Sequence, residues 1–374
     1  MPPPTRRQFL AGSAGLSAGL LARHGVAQPG ANLAPTGEMV TPAAQSAIDR
    51  GLAFLANAQA ADGSFPDARS PFALGNVAVT GLAGLALMAG GHQPGRGRYG
   101  KAVARAADYV VARGSSADPR TPGFLANTDQ LPGGGLNQRA MYEHGFGALF
   151  LSEVAGRVPD RAKQDRLRAT LERAVGLTRR AQNNEGGWRY SPEPVQPADV
   201  SVTVAQLMAL RAAKNAGVTV PKAVIDKCVR YIKDCQLADG GFCYFRGQPG
   251  VGSQFARSAA AVVGLFSAGV YTGPEIERGL RYLMRSLPGG RGFEAHLEHY
   301  FYAHYYAGLA MWTAGGTYWA EWFPAAREEL LGKARAAGGV WDDQPESGHG
   351  RAYATAMACI VLQLPNNYLP IMQK

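Results

Sequence analysis

The chain has 374 residues, 46% of them hydrophobic, and a formal net charge of +10 at pH 7. The positive excess is spread thinly, without the Lys/Arg cluster that tracks a phosphate backbone, so nucleic acid is not an expected partner; a mild attraction to anionic lipid, and with it peripheral membrane contact, stays open. Beyond residue 27 no apolar run reaches membrane length without a charge or a Gly break, and the four cysteines make no disulfide framework.

Residues 1–27 read as a targeting segment. Thr5-Arg6-Arg7-Gln8-Phe9-Leu10 is the twin-arginine pattern, the weakly apolar run Phe9 to Ala22 follows, and Gly25-Val26-Ala27 offers small residues at a cleavage point. Such an address is read by a translocase for folded proteins, so the expectation is export to the periplasm or another extracytoplasmic space. Its removal takes away Arg6, Arg7 and Arg23 and lowers the charge to +7. Residues 28–42 read as a linker and 43–374 as a single domain.

That domain repeats one event six times. An amphipathic run ends in Gln, a polar bend with Gly follows, and an aromatic closes it: Gln59-Ala-Ala-Asp-Gly-Ser-Phe65, then Asn183-Asn-Glu-Gly-Gly-Trp188 after Gln182, then Gln236-Leu-Ala-Asp-Gly-Gly-Phe242. Shorter versions end at Phe124, Phe293 and Trp341, giving gaps of 59, 64, 54, 51 and 48 residues between closing aromatics. A near-constant period of this size marks a repeat architecture.

The helix before each bend is amphipathic. In 221–236 Ile225, Cys228, Ile232 and Cys235 share a stripe while Lys222, Asp226, Arg230 and Lys233 face away, and the runs 44–59, 100–113, 163–180, 274–286 and 324–335 follow suit. The helix after each bend is apolar or small nearly all round: 76–89, 142–154, 200–216, 255–268, 300–314 and 352–364. A helix without a wet face must be covered on every side. Twelve helices alternating in this way predict an all-α fold of two concentric rings, an α/α toroid with the polar-faced helices outside. Cys228 and Cys235, seven apart on one helix, are about 10 Å apart and beyond disulfide reach, whereas Cys235 and Cys243 flank a bend and leave either a bond or two buried thiols open.

The Gln-Asp-Gly-Gly-Phe/Trp repeats resemble those of the terpene cyclase and protein prenyltransferase superfamily, which includes squalene–hopene cyclases and prenyltransferase β subunits. The resemblance covers residues 43–370 and implies the toroid fold and an isoprenoid or other apolar lipid in the barrel. Squalene–hopene cyclases protonate a double bond with an Asp-x-Asp-Asp motif, and the matching position here, Asp199-Val200-Ser201-Val202-Thr203, carries one Asp. Prenyltransferase β subunits hold zinc with Asp-x-Cys and a His on a later inner helix. His304 resembles that His, but Ser201 stands where the Cys belongs, so no zinc site and no cofactor is expected.

Candidate site residues follow from the starts of the second helices. Asp199 is either a helix N-cap or a proton donor. Glu143 and His144 open the second such helix, His299, Tyr302, His304 and Tyr305 cluster at the fifth, and Arg351 opens the sixth; with Ser201 these are expected to ring one mouth. Tyr302, Tyr305 and their neighbours line a ligand cavity or pack as core. Glu294, His296, Glu298 and His299 form no diagnostic metal spacing. Two further functions stay open: a carbohydrate lyase or glycosidase on the same toroid, the latter needing two opposed carboxylates, or a non-catalytic interaction domain similar to thioester-type toroids but without their Cys-Gly-Glu-Gln.

Overall fold

The described residues hold twelve α-helices, and these fall into two sets that differ in what covers them. The computed structural model describes residues 39–67, 75–114, 121–127, 140–290, 293, 299–343 and 348–373, all within the unit spanning 33–374. The twin-arginine segment and most of the linker lie outside the described residues. Outer helices are α1 (Pro42–Ala58), α3 (Gly100–Arg113), α5 (Arg161–Ala181), α7 (Lys222–Asp234), α9 (Pro274–Met284) and α11 (Gly316–Ala336). Inner helices are α2 (Val77–Ala89), α4 (Ala140–Val154), α6 (Val200–Asn215), α8 (Phe255–Ser267), α10 (Tyr300–Ala314) and α12 (Arg351–Leu362).

Each inner helix touches the next, in the order α2, α4, α6, α8, α10, α12, and α12 returns to α2. The inner ring is therefore closed, as the all-round apolar patterning requires. Outer helices lie against the inner helices that flank them in the chain, α3 on α2 and α4, α5 on α4 and α6, α7 on α6 and α8, α9 on α8 and α10, while α11 lies on α10 and α1 on α12 and α2; in α7 only Cys228, Tyr231 and Ile232 are fully buried. The α/α toroid expected from the sequence is the fold.

The bends hold the rings together. All six closing aromatics, Phe65, Phe124, Trp188, Phe242, Phe293 and Trp341, are buried. The glycine before them adopts a left-handed conformation, +97° in φ at Gly186, and sits against the next outer helix so closely that a Cβ there would meet the Lys227 carbonyl at 2.5 Å. The preceding Gln bridges two repeats: Gln182 Nε2 donates to the carbonyls of Gly186 and Val224, both at 2.9 Å, and Gln59 and Gln236 do the same in their repeats. These glutamines are thus inter-repeat ties rather than caps of their own helices.

One helix differs from the sequence expectation. The run 324–335 begins eight residues earlier, at Gly316, because Pro324 is tolerated inside α11. Proline removes one helical hydrogen bond, and burial of Trp319, Trp322 and Phe323 around it offsets that loss. Trp319 and Phe323 stack at 4.3 Å, and Trp312 meets Trp319 at 5.0 Å. All four cysteines are buried free thiols.

The C-terminal segment crosses the end of the ring where the inner helices finish. Glu153 of α4 accepts the Ile371 N–H at 3.0 Å, Arg211 of α6 donates to the Gln373 carbonyl at 3.0 Å, and Trp312 of α10 donates to the Met372 carbonyl at 2.8 Å. Three inner helices thus clamp one strap of backbone, leaving the opposite end, where the inner helices begin, as the mouth.

Candidate functional site at the mouth of the ring

The six inner helices share a register that sorts their first turns into three positions. The first is the residue at the helix start: Asn76, Ala140, Asp199, Gln254, Tyr300 and Arg351. Two residues on stand Ala78, Tyr142, Ser201, Ala256, Tyr302 and Tyr353. Two further on stand Thr80, His144, Thr203, Ser258, His304 and Thr355.

The third position faces the wall between the rings. Thr80, Thr203 and Ser258 accept the backbone N–H of the closing aromatics Phe65, Trp188 and Phe242 at 2.9–3.0 Å. His144 does the same for the Leu125 N–H, with Nδ1 at 3.1 Å, while its Nε2 lies 2.9 Å from the Thr178 hydroxyl of α5. Burial drops the His144 pKa from 6.5 to about 4, so the ring is a neutral acceptor. His304 points the same way, packed 5.4 Å from Phe293 and 5.9 Å from Trp322, with Nε2 3.5 Å from Glu329 of α11. Burial alone would raise the Glu329 carboxyl, but His304, the Tyr300 hydroxyl and the Gly289 N–H together hold it below its ordinary value. Both histidines are clasp residues, and the expectation that they ring the mouth is corrected.

Three more expected residues also turn away. Glu143 accepts the Val77 N–H at 3.0 Å and so caps α2. Arg351 is exposed, with its guanidinium 5.2 Å from the Phe54 ring of α1. His299 is an exposed residue in the left-handed region, φ 65°, at the start of α10. Glu294, His296 and Glu298 lie outside the described residues. Among the described residues no three potential metal ligands converge.

The mouth itself gathers around Asp199. Its side chain is wholly buried, and Oδ1 accepts the N–H groups of Ser201 and Val202 at 2.7 and 3.0 Å. Asp199 is thus the N-cap of α6, while its Oδ2 is buried and makes no hydrogen bond of good geometry. Burial raises the Asp199 pKa above its ordinary value, and the Tyr244 hydroxyl, the Val202 and Ser201 amides and the Tyr190 hydroxyl oppose that rise only in part. Its surroundings are phenolic. Tyr190 and Tyr244 share a short hydroxyl–hydroxyl contact. Tyr142, raised well above 10 by burial and then by Asp199, lies 6.3 Å from Tyr190. Tyr302, raised by burial, is within reach of the Ser201 hydroxyl and packs 4.5 Å from Tyr306. Cations stand at the edge: Arg257 of α8 is 5.5 Å from the Tyr244 ring, and Arg189 is 5.0 Å from Tyr190 and 4.5 Å from Phe245.

The mouth is shallow. Phe146 and Tyr305 come from α4 and α10, opposite one another in the ring, and their rings meet edge-on at 6.2 Å. No ligand fits between them, so Tyr305 is floor. On the side of the mouth facing Asp199, His349 Nδ1 and Asp67 Oδ2 are 2.8 Å apart, Asp343 accepts the His349 N–H at 2.8 Å, and the His349 ring is 4.6 Å from Tyr353.

Sequence reasoning reached Asp199, Ser201, Tyr302 and Tyr305 but missed Tyr142, Tyr190, Tyr244, Asp67 and His349. A signal was present for three of the five: the residue two past a closing aromatic is Asp67, Tyr190, Tyr244 or Asp343 in four of the repeats.

No protein-family model matches the sequence, nor does any curated protein. Among solved structures the chain is similar to a wild-type glycosidase, with 15% identity over 89% of this chain and 99% of that one and a TM-score of 0.55. A point variant of a glycosidase superposes with a TM-score of 0.59 at 15% identity, covering 88% and 98%. The apo type II terpene cyclase MstE from Scytonema has a TM-score of 0.56 at 16% identity, covering 88% and 100%. A variant of that cyclase has also been solved with geranylgeranyl dihydroxybenzoate as substrate, similar to this chain at 14% identity over 88% and 98%, with a TM-score of 0.54. Likeness at this identity establishes the shared α/α toroid and leaves the activity to the site.

Proposed function

We propose that this protein takes an isoprenoid or another apolar lipid into the tyrosine-lined mouth and that Asp199 acts there as a Brønsted acid. One observation carries the reading: a wholly buried carboxyl whose Oδ2 makes no hydrogen bond of good geometry, beside the Tyr190 and Tyr244 hydroxyls, with no ion-pair partner among the described residues. Burial favours the neutral acid, which is the form able to protonate an alkene. The faces of Tyr142, Tyr244 and Tyr302 suit the positive charge that protonation creates, and Ser201 and Arg257 suit a polar headgroup. The similarity to a cyclase solved with a geranylgeranyl compound is consistent with this. The twin-arginine pattern adds the proposal that the protein works outside the cytoplasm, against a membrane surface that supplies the lipid.

The glycosidase neighbours support a carbohydrate-active enzyme equally well at the level of fold. That chemistry needs a second carboxyl facing Asp199 at roughly 5–10 Å. Glu143 is spent on the Val77 N–H and Glu185 on the Ala198 N–H, which favours the single-acid reading.

The test has two steps. Lipids extracted from the purified protein and identified by mass spectrometry are expected to include a polyprenyl compound. All-trans geranylgeraniol is then expected to be isomerised by the wild type and left unchanged by Asp199→Asn. Cleavage of oligosaccharides by the wild type, with no action on the polyprenol, would overturn the proposal.

A further inference from the structure

The bend that closes the fourth repeat carries a pair of side chains the other full bends lack. The residue before the Gln and the residue after the closing aromatic are Ala58 and Pro66 in the first repeat, Ala181 and Arg189 in the third, and Cys235 and Cys243 in the fourth. Gln236 and Phe242 pair antiparallel, and on the next rung the Cys243 N–H donates to the Cys235 carbonyl at 2.9 Å. Residues opposed in an antiparallel pair have Cα atoms about 4.5–5.5 Å apart and side chains on one face. That separation lies inside the range of roughly 4.4–6.8 Å that a disulfide needs. Both side chains are buried, at 0% and 2% exposure. The other two cysteines lie elsewhere: Cys228 is seven residues back on α7, and Cys359 of α12 packs on Gly51 of α1.

The pair stands behind the wall of the mouth. Cys235 touches Tyr231, whose hydroxyl donates to the Ala198 carbonyl at 2.6 Å. The Tyr244 carbonyl accepts the Val200 N–H at 3.3 Å. Both chain neighbours of Asp199 are thus held by residues next to the two thiols. On the outer side the Cys243 S–H donates to the Phe245 carbonyl at 2.9 Å, and the chain beyond, from Arg246 to Gln248, is exposed. Burial raises both thiols, but at Cys243 the Cys235 thiol, a backbone amide and the Arg257 guanidinium oppose that rise, which makes Cys243 the readier nucleophile.

We infer that Cys235 and Cys243 are a redox pair that closes to a disulfide when the protein meets an organic disulfide, carried by an oxidoreductase or by oxidised glutathione. The inference stands apart from the acid reading of Asp199. The Cys243 thiolate attacks one sulfur of the oxidant; a mixed disulfide forms, the oxidant's S–S bond breaks and one thiolate leaves. The Cys235 thiolate then attacks the Cys243 sulfur, forming the Cys235–Cys243 bond and expelling the second thiolate. The two leaving thiolates take up the two protons, so the protein is oxidised by two electrons and the oxidant is reduced to two thiols. Closure exchanges the S–H bond to Phe245 for a covalent tie across the bend, and that tie holds the backbone that carries Tyr244 beside Asp199.

The experiment uses the full chain in two arms, folded protein and protein refolding from denaturant, each in reduced or in oxidised glutathione. The refolding arm presents the thiols before they are buried. Alkylation in denaturant followed by mass spectrometry counts free thiols, and peptide mapping locates any bond. All four thiols are expected to be alkylated from reduced glutathione, and only Cys228 and Cys359 from oxidised glutathione, with no adduct retained and the chain lighter by two hydrogens. The oxidised form is expected to melt higher by roughly 2–6 °C. Trypsin is expected to cut after Arg246 about threefold or more slowly in that form, because the tie opposes local opening. Cys235→Ala should leave Cys243 carrying one glutathione, whereas Cys228→Ala should close as the wild type does. Mapping of the wild type carries the test should a variant fail to fold. Four free thiols in both oxidised arms, or a bond that involves Cys228 or Cys359, would overturn the pair. Equal tryptic rates in the two forms would overturn its hold on the mouth.

Discussion

Replacing Asp199 separates its two roles, because the cap and the proton reside on different oxygens. Oδ1 accepts two helix-start N–H groups, at 2.7 and 3.0 Å, and an N-cap of this kind is worth about 1–2 kcal/mol against Ala. Asn caps as well as Asp, so Asp199→Asn keeps that contribution and removes only the ionisable Oδ2. The pKa of Asp199 is raised by burial from its ordinary 3.8. The folded protein thus binds a proton that the unfolded chain has released, and stability falls as pH rises from about 3.8 through the folded-state pKa. The difference in unfolding free energy, Asn variant minus wild type, is expected to start near zero at pH 4 and grow in favour of the variant towards pH 8. Asp199→Ala is expected to lie about 1–2 kcal/mol below the Asn variant at every pH. Denaturant unfolding at pH 4, 6 and 8 with all three proteins reads this directly. An Asn variant less stable than the wild type at pH 8 by more than about 1 kcal/mol would mean that Asp199 is ionised and held by the Tyr190 and Tyr244 hydroxyls, and the acid assignment would fall with it.

Other expectations concern the clasps and the strap. Gly186→Ala should cost at least about 2 kcal/mol in unfolding free energy, since it adds left-handed strain to a clash with the Lys227 carbonyl at 2.5 Å. Gly332→Ala, in the middle of α11 with nothing within 4 Å of the new Cβ, should stabilise by roughly 0.5–1 kcal/mol in the same assay. His144→Ala leaves the Leu125 N–H without its acceptor and removes the contact to the Thr178 hydroxyl, which keeps its bond to the Ala174 carbonyl, and should cost about 1–3 kcal/mol at pH 7. Because the His144 pKa is lowered from 6.5 to about 4, the wild type loses stability as pH falls through that window, and the variant should lose less over it. Glu153, 3% exposed beneath the C-terminal strap, has its pKa raised by burial from 4.5 to about 7. Its contribution is present below pH 4.5 and lost as pH rises through about 7, so Glu153→Gln should gain up to roughly 3 kcal/mol over the wild type at pH 8, read by thermal melts across pH 4–8.

The sequence by itself determined the architecture of this protein. Six bends at a steady period, each ending in one aromatic, and helices alternating between one wet face and none leave a closed double ring as the arrangement that covers every apolar surface. It also led to Asp199, since the first residue of a buried helix is where a short polar side chain is expected. What it did not decide is which way each first-turn side chain faces. His144 and His304 looked like site residues because histidine is so often functional, yet they stand in register with Thr80, Thr203, Ser258 and Thr355 and do the same task of bonding or packing on the bend. Pro324 looked like a helix start and is an interior residue, because three packed aromatics outweigh one lost hydrogen bond.

Only the tertiary structure could bring Tyr142, Tyr190 and Tyr244 to Asp199 and set His349 on Asp67. Tyr142 and Tyr244 come from the repeats on either side of the one that holds Asp199 and Tyr190, Asp67 and His349 come from the first and last, and local sequence carries no record of which loops meet once the ring closes. The depth of the mouth was decided there too: Phe146 and Tyr305 lie far apart in the chain, and the radius of the inner ring alone makes them touch. Periodicity fixes the ring, whereas the chemistry depends on distances across it, and those distances follow from packing.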